Sequence, residues 1–191
     1  WVNELIQNLQ LESVSMAGFS FGGLIILKTL EYDESKINEV YLSAPAYIVN
    51  GNPLKALLKI FIPMKRFIKT KKTKYIEKFL AEVFTSRDKF ALKYLSKVFL
   101  EFDMDFTPVP VISAKNATHI KTPITIFAAQ FDIFFPGKKM IKRAKKIFPS
   151  LKKSYLLTDS KHVQNKEQNQ IIEEVIMNNN PNKHNYKELT T

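Results

Sequence analysis

The stretch "MAGFSFGG", residues 16–23, sets one serine between glycines at the end of one apolar run and the start of another. Its reading decides the fold. G-x-S-x-G arises by chance in many glycine-rich bends, so on the motif alone Ser20 is either a nucleophile on a strained turn or an ordinary polar residue. Upstream, "SVSMAG" reads as a short strand ending in Gly18, and downstream "FGGLIILKTLEY" is long and apolar enough for a buried helix. "INEVYLSAP" follows as a second strand, stopped by Pro45. Strand, helix and strand in this order make a βαβ unit, which implies parallel strands and a right-handed crossover.

Outward from this unit, "WVNELIQNLQL" carries Trp1, Leu5 and Leu9 with Val2 and Ile6 at helical spacing. From about Tyr47 to Ile120 the pattern is helical throughout. Leu54, Leu57, Leu58 and Phe61 form one apolar stripe, Ile76, Phe79, Leu80 and Val83 a second, and Phe90, Tyr94, Leu95, Val98 and Phe99 a third. Lysines fill the gaps, so these are amphipathic helices with basic outer faces. Pro63 is expected to break or kink the first of them. The α/β rhythm then resumes: "TPITIFAAQ" as a strand, "GKKMIKRAKKIF" as a cationic amphipathic helix, "KKSYLLTDS" as a strand and "NQIIEEVIMN" as a last helix. "NNNPNKHNYKELTT" is polar and without period. The expected organisation is an α/β core in two parts, residues 1–46 and 121–180, an inserted helical segment over 47–120, and a flexible tail over 181–191.

The 191 residues, 45% of them hydrophobic, suffice for one domain with a proper core. With no cysteine there is neither a disulfide framework nor a thiolate metal site. That composition fits a reducing compartment, and a cytoplasmic location is the expectation. The chain opens at Trp1 in what reads as a helix already under way, so it is read as lacking its beginning, and an upstream leader is left open. No run is long enough for a transmembrane helix.

The net charge of +11 raises an anionic partner as an alternative. Lys55 to Lys97 and Lys138 to Lys153 supply the cations. Phe61, Phe67, Phe79 and Phe90 fall at core-like helical positions rather than on a stacking platform. Buried stripes with solvated lysines are therefore favoured over nucleic acid, and contact with a membrane surface is the less favoured reading.

A serine needs a base within hydrogen-bond reach, a group to orient that base, and donors waiting for the oxyanion. A tight strand-to-helix turn lifts the hydroxyl clear of the backbone and aims a helix N-terminus at developing negative charge. Residues two before and two after the serine are then forced together, and both are small: Gly18 and Gly22. Gly23 lets the helix approach its neighbouring strand. A glycine-rich phosphate loop would need G-x-x-x-x-G-K-[ST] or G-x-G-x-x-G, and neither is present.

On these residues the chain resembles the carboxyl-terminal two-thirds of an α/β-hydrolase with a helical cap. "ITIFAAQFDIFFPG" is similar to that family's acid-bearing strand and loop, with Asp132 beyond the strand, and "YLLTDSKHV" to its histidine loop, with His162. The order Ser20, Asp132, His162 matches, each at the carboxyl end of a parallel strand, where open α/β sheets bind ligands. Asp159 shares the histidine's own loop, and Asp103 and Asp105 fall in the helical segment. A helix-capping role near Pro136 is the structural alternative for Asp132. His119 precedes the acid-bearing strand and His184 is in the tail, which leaves His162. Ala129 and Lys161 stand where the family often has glycine or another small residue.

The resemblance implies an esterase-like or lipase-like serine hydrolase of small apolar carboxylic esters, with amides or thioesters as further candidates. Phe21 N–H is then one oxyanion donor, and no cofactor or metal is needed. The family's first four strands and its second oxyanion loop have no counterpart here. The alternative is a non-catalytic interaction protein that keeps the back half of the fold. On either reading the 191 residues alone are expected to be poorly soluble or inactive.

Overall fold

Helix α1 (Val2–Asn8) precedes the predicted βαβ unit, formed by strand β1 (Val14–Phe19), helix α2 (Phe21–Tyr32) and strand β2 (Ile37–Ser43). The computed structural model describes residues 1–103, 105 and 107–177, together with the backbone of 186–188. Strands β3 (Ile124–Ala129) and β4 (Leu151–Leu157) extend the sheet in the order β1-β2-β3-β4, all parallel. Every residue of β3 is buried, as a parallel strand covered on both faces requires.

The helical segment contributes α3 (Pro53–Ala56), a π-helical turn (Leu57–Phe61), α4 (Ile62–Thr70), α5 (Thr73–Val83), α6 (Lys89–Glu101) and the short α7 (Ala114–Ala117). Helices α8 (Gly137–Ile147) and α9 (Lys166–Ile176) follow β3 and β4. Among the described residues, no helix is long and apolar enough to cross a membrane.

Period-two alternation sends the strands' side chains to two different layers. On one face Val40, Leu42, Ile126 and Ala128 meet Ile26, Leu27 and Leu30 of α2 and Met140, Ile141 and Ala144 of α8. On the other, Tyr41, Phe127, Tyr155 and Leu157 meet Ile171 of α9. Leu27, fully buried, contributes about 1.5–3 kcal/mol by leaving water. Register aligns Phe19 with Ser43, Ser43 with Phe127 and Phe127 with Tyr155, so the carboxyl ends of the four strands form one row.

Tyr186–Glu188, within the expected tail, pair antiparallel with β4 as β5. The rest of 178–191, His184 included, lies outside the described residues.

The inserted helices have a core of their own: Ile60, Met64, Phe67, Ile76, Phe79, Val83 and Phe99. Of the second predicted stripe, Ile76, Phe79 and Val83 are buried as expected and Leu80 is partly buried. The first stripe is not buried. Leu54, Leu57 and Leu58 are 62%, 47% and 55% exposed, and it is Ile60, Met64 and Phe67 that face inward. Pro63 explains the slip. It lacks an N–H and its ring would collide with the carbonyl four residues back. The chain makes a π turn instead, closed by Ile62 N–H to Leu57 O, and places Pro63 in the first turn of α4. An extra residue in one turn rotates the buried face, so one 3.6-residue period does not run through both halves. Phe90 and Tyr94 are also exposed, stacked on each other at the start of α6.

Both ends of the 47–120 segment pack with the main core. Tyr47, Ile48, Val49, Ile112, Ala117 and Ile120 are buried there. Ile112 N–H donates to Tyr47 O at 2.7 Å, so the outgoing and returning strands of chain meet. Arg143 of α8 fastens both crossings, donating to Ile48 O and Ile112 O at 3.1 and 2.6 Å.

Candidate active site

Ser20 follows β1 and occupies the N-cap of α2 at φ 52° and ψ −114°, the left-handed side of backbone space that a β-carbon disfavours. Its peptide is held on both sides. Ser20 N–H donates to Ser43 O at 2.9 Å, while Ser20 O accepts from Gly23 N–H and Ala46 N–H at 3.0 and 2.9 Å. Serine at an N-cap ordinarily turns its oxygen back to the helix amides. Here the side chain caps nothing, and Oγ lies 2.9 Å from His162 Nε2.

The glycines differ in what they permit. A β-carbon on Gly18 would stand 2.7 Å from Ile26 Cδ1 and 2.8 Å from the Gly22 carbonyl carbon. One on Gly23 would stand 2.6 Å from Pro45 Cβ, which explains how closely α2 approaches the end of β2. One on Gly22 would meet nothing within 4 Å. The expectation that Gly22 must be small is therefore corrected: its backbone, not its missing side chain, presses on Gly18. Gly18→Ala is expected to destabilise by about 1–3 kcal/mol through overpacking. Gly22→Ala, in the first turn of a helix at an ordinary φ, is expected to be neutral or to stabilise by up to about 1 kcal/mol. Thermal melts of the two variants check this, and equal losses would contradict it.

Asp132 and His162 reach the same row of strand ends from β3 and β4. Asp132 is 3% exposed and His162 6%. Asp132 Oδ2 lies 2.7 Å from His162 Nδ1. Its Oδ1 accepts Phe134 N–H and Phe135 N–H at 2.8 and 3.0 Å, so the carboxyl group is fixed by the backbone of its own loop. It does not cap α8, whose N-cap is Pro136. A carboxylate only accepts, so the imidazole carries its proton on Nδ1 and presents a lone pair on Nε2 to the Ser20 hydroxyl. Phe19, Phe134 and Phe135 surround the imidazole, with ring centroids 5.1, 5.1 and 5.5 Å from its own.

The competing residues lie elsewhere. Asp159 is exposed at φ 54°, its N–H bonded to Gln130 Oε1. Asp105 holds Thr107, Asp103 is exposed, and His119 Nδ1 lies 2.6 Å from Lys115 O beside α7. Phe21 opens α2 directly after Ser20, and the first amides of a helix have no acceptor within it, so Phe21 N–H is a donor that α2 itself leaves available.

Two residues escaped the sequence reading. Gln164 Nε2 donates to His162 O at 3.0 Å, while its Oε1 accepts from Ser43 Oγ at 3.4 Å, joining the histidine loop to β2. Thr85, from the helical unit, touches the same loop. Neither carries a sequence signal, since Thr85 meets backbone groups and Gln164 a serine hydroxyl that are both far away in the chain. Lys161 also has a structural role: its ammonium donates to Ala81 O in the last turn of α5. A groove of about 390 Å³ runs below the histidine loop, lined by Gly18, Phe19, Tyr41, Ser43, Val163 and Gln164.

No family model matches the chain, and no curated protein does either. Solved structures do. The naproxen esterase (carboxylesterase NP) of Bacillus subtilis is similar at a TM-score of 0.73 with 17% identity, over 93% of this chain and 63% of that one. Carboxylesterase CesB of Bacillus subtilis is similar at 0.66 with 14% identity, over 85% and 57%. The 2-hydroxy-6-oxo-6-phenylhexa-2,4-dienoate hydrolase of Rhodococcus sp. strain RHA1 is similar at 0.64 with 14% identity, over 93% and 65%. The chain thus spans less than two-thirds of the length of these three structures.

Proposed function

We infer, for a chain that has the α/β-hydrolase fold, a serine hydrolase that cleaves carboxylic esters through an acyl-enzyme. The observation that carries this is the pair of contacts from His162, 2.9 Å to Ser20 Oγ and 2.7 Å to Asp132 Oδ2, on a serine whose N-cap side chain does no capping.

Ser20 Oγ attacks the ester carbonyl carbon while His162 Nε2 takes the hydroxyl proton. The carbonyl oxygen becomes an oxyanion, received by Phe21 N–H at the positive end of α2. Each such donor is worth about 10²–10³ in rate. The imidazolium then gives its proton to the departing alcohol as the C–O bond breaks, leaving the acyl group on Ser20. Water, deprotonated by the same Nε2, attacks the acyl carbon, and Ser20 leaves with the proton returned to it. Asp132 keeps the ring in the productive tautomer throughout.

The substrate reading rests on the phenylalanines around His162 and on Ile133 and Phe134, which pack against the helical unit's core. These residues favour an apolar acyl or alcohol group. A chain-length panel of nitrophenyl esters tests it. kcat/KM is expected to rise by up to about fourfold per methylene until the pocket is filled, the value of a buried CH₂. A flat series, or one that falls from acetate onward, would contradict an apolar pocket.

A further inference from the structure

One hydroxyl from the helical unit bonds backbone groups of the residues on both sides of His162. Thr85 lies just beyond α5, far from the histidine in sequence. Lys161 N–H donates to Thr85 Oγ1 at 3.0 Å, and Oγ1 donates to Val163 O at 2.8 Å. Only a group that both accepts and donates can fill this position, and a hydroxyl does.

The surrounding backbone follows the same course. Thr85 N–H donates to Val163 O at 3.0 Å and Val163 N–H to Val83 O at 2.9 Å, pairing Phe84 with Val163 as a parallel bridge. The Lys161 ammonium reaches the Ala81 carbonyl of α5. Val163 also packs against the core that Ile76, Phe79 and Val83 of α5 share with α4 and α6. On the opposite side, Gln164 ties His162 O to the end of β2. The histidine's backbone is therefore held between the sheet and the inserted helices, and α5 cannot shift without moving residues 161–163.

We propose that Thr85 is a positioning residue for His162, and that through it the seating of the helical unit sets the alignment of the imidazole on Ser20. The inference rests on the reading of Ser20 and His162 given above. Thr85 has no part in bond making. It holds the backbone of the two residues that flank His162, and their placement sets where the Cα of His162 stands and hence whether Nε2 meets the hydroxyl. A displacement of about 1 Å at a reacting group costs on the order of 10²-fold in rate.

The test compares Thr85→Val, Thr85→Ser and Ser20→Ala in the full-length protein, on nitrophenyl acetate, which offers the smallest acyl group of the ester series. Thr85→Val keeps the shape and removes both side-chain hydrogen bonds. It is expected to lower kcat about 10–100-fold with KM changed less than about twofold. Thr85→Ser restores the hydroxyl and is expected to bring kcat back to within about threefold of the parent. Thr85→Ala, which removes the hydroxyl without adding bulk, answers the same question should the valine variant not fold.

Parental kcat in the folded valine or alanine variant, beside an inactive Ser20→Ala, overturns the proposal while leaving the serine reading intact. So does an equal loss of kcat in the valine and serine variants. Turnover retained in Ser20→Ala overturns the serine reading itself, and this proposal with it.

Discussion

In the full-length protein, Ser20→Ala is expected to reduce kcat for nitrophenyl esters on the order of 10⁶-fold, with the fold intact. The size of the loss follows from the chemistry. Without Oγ no acyl-enzyme forms, and His162 is left with nothing to deprotonate but water. What remains is catalysis by the oxyanion donor and by binding, which can still exceed the uncatalysed rate by about 10³–10⁴. Alanine has nearly the volume of serine and inherits the same φ of 52°, so the strain at the turn is unchanged and the melting temperature should shift little. Loss of activity accompanied by loss of cooperative unfolding would count against a catalytic role and for a structural one. Parallel activity and melting measurements distinguish the two.

Asp132→Asn is the second large effect, expected at about 10⁴-fold in kcat. Asparagine can keep the carbonyl-like half of the site, with Oδ1 still accepting Phe134 N–H and Phe135 N–H. Its other half changes sign. Where Asp132 Oδ2 accepts from His162 Nδ1, the amide Nδ2 donates, so the ring must shift its proton to Nε2. That proton then faces Ser20 Oγ, and the imidazole can no longer act as base. Loop geometry, volume and burial stay nearly constant, so the substitution isolates the tautomer. A loss under about tenfold would mean that Asp132 serves the loop alone.

Much of the core was legible because its signals are local. The run of β-branched and aliphatic residues in β3, the period of α8 and the glycine either side of Ser20 each constrain only a few neighbouring positions. Chain order then placed Ser20, Asp132 and His162 after three parallel strands, and the register puts those strand ends in one row. The helical unit was less legible. A single helical phase through Pro63 buries Leu54, Leu57 and Leu58, whereas the π turn before the proline rotates them outward and brings Ile60, Met64 and Phe67 in.

The supporting contacts were not legible at all. Thr85 and the Lys161 ammonium meet backbone carbonyls and amides that every residue possesses, and Gln164 meets a serine 121 positions away, so no local pattern marks them. Gly22 illustrates the opposite error. Its place in the motif suggested a steric need, yet space for a β-carbon is open there and closed at Gly18.

The central claim is that Ser20 Oγ is the nucleophile. Reaction with a fluorophosphonate tests it, since the serine oxygen displaces fluoride from phosphorus and keeps the phosphonyl group as a stable adduct. Mass spectrometry of the digested protein is predicted to find one adduct, on the peptide that carries Ser20, and none after Asp132→Asn under the same exposure. An adduct on another residue, or an unmodified Ser20 in protein that still hydrolyses esters, would contradict it.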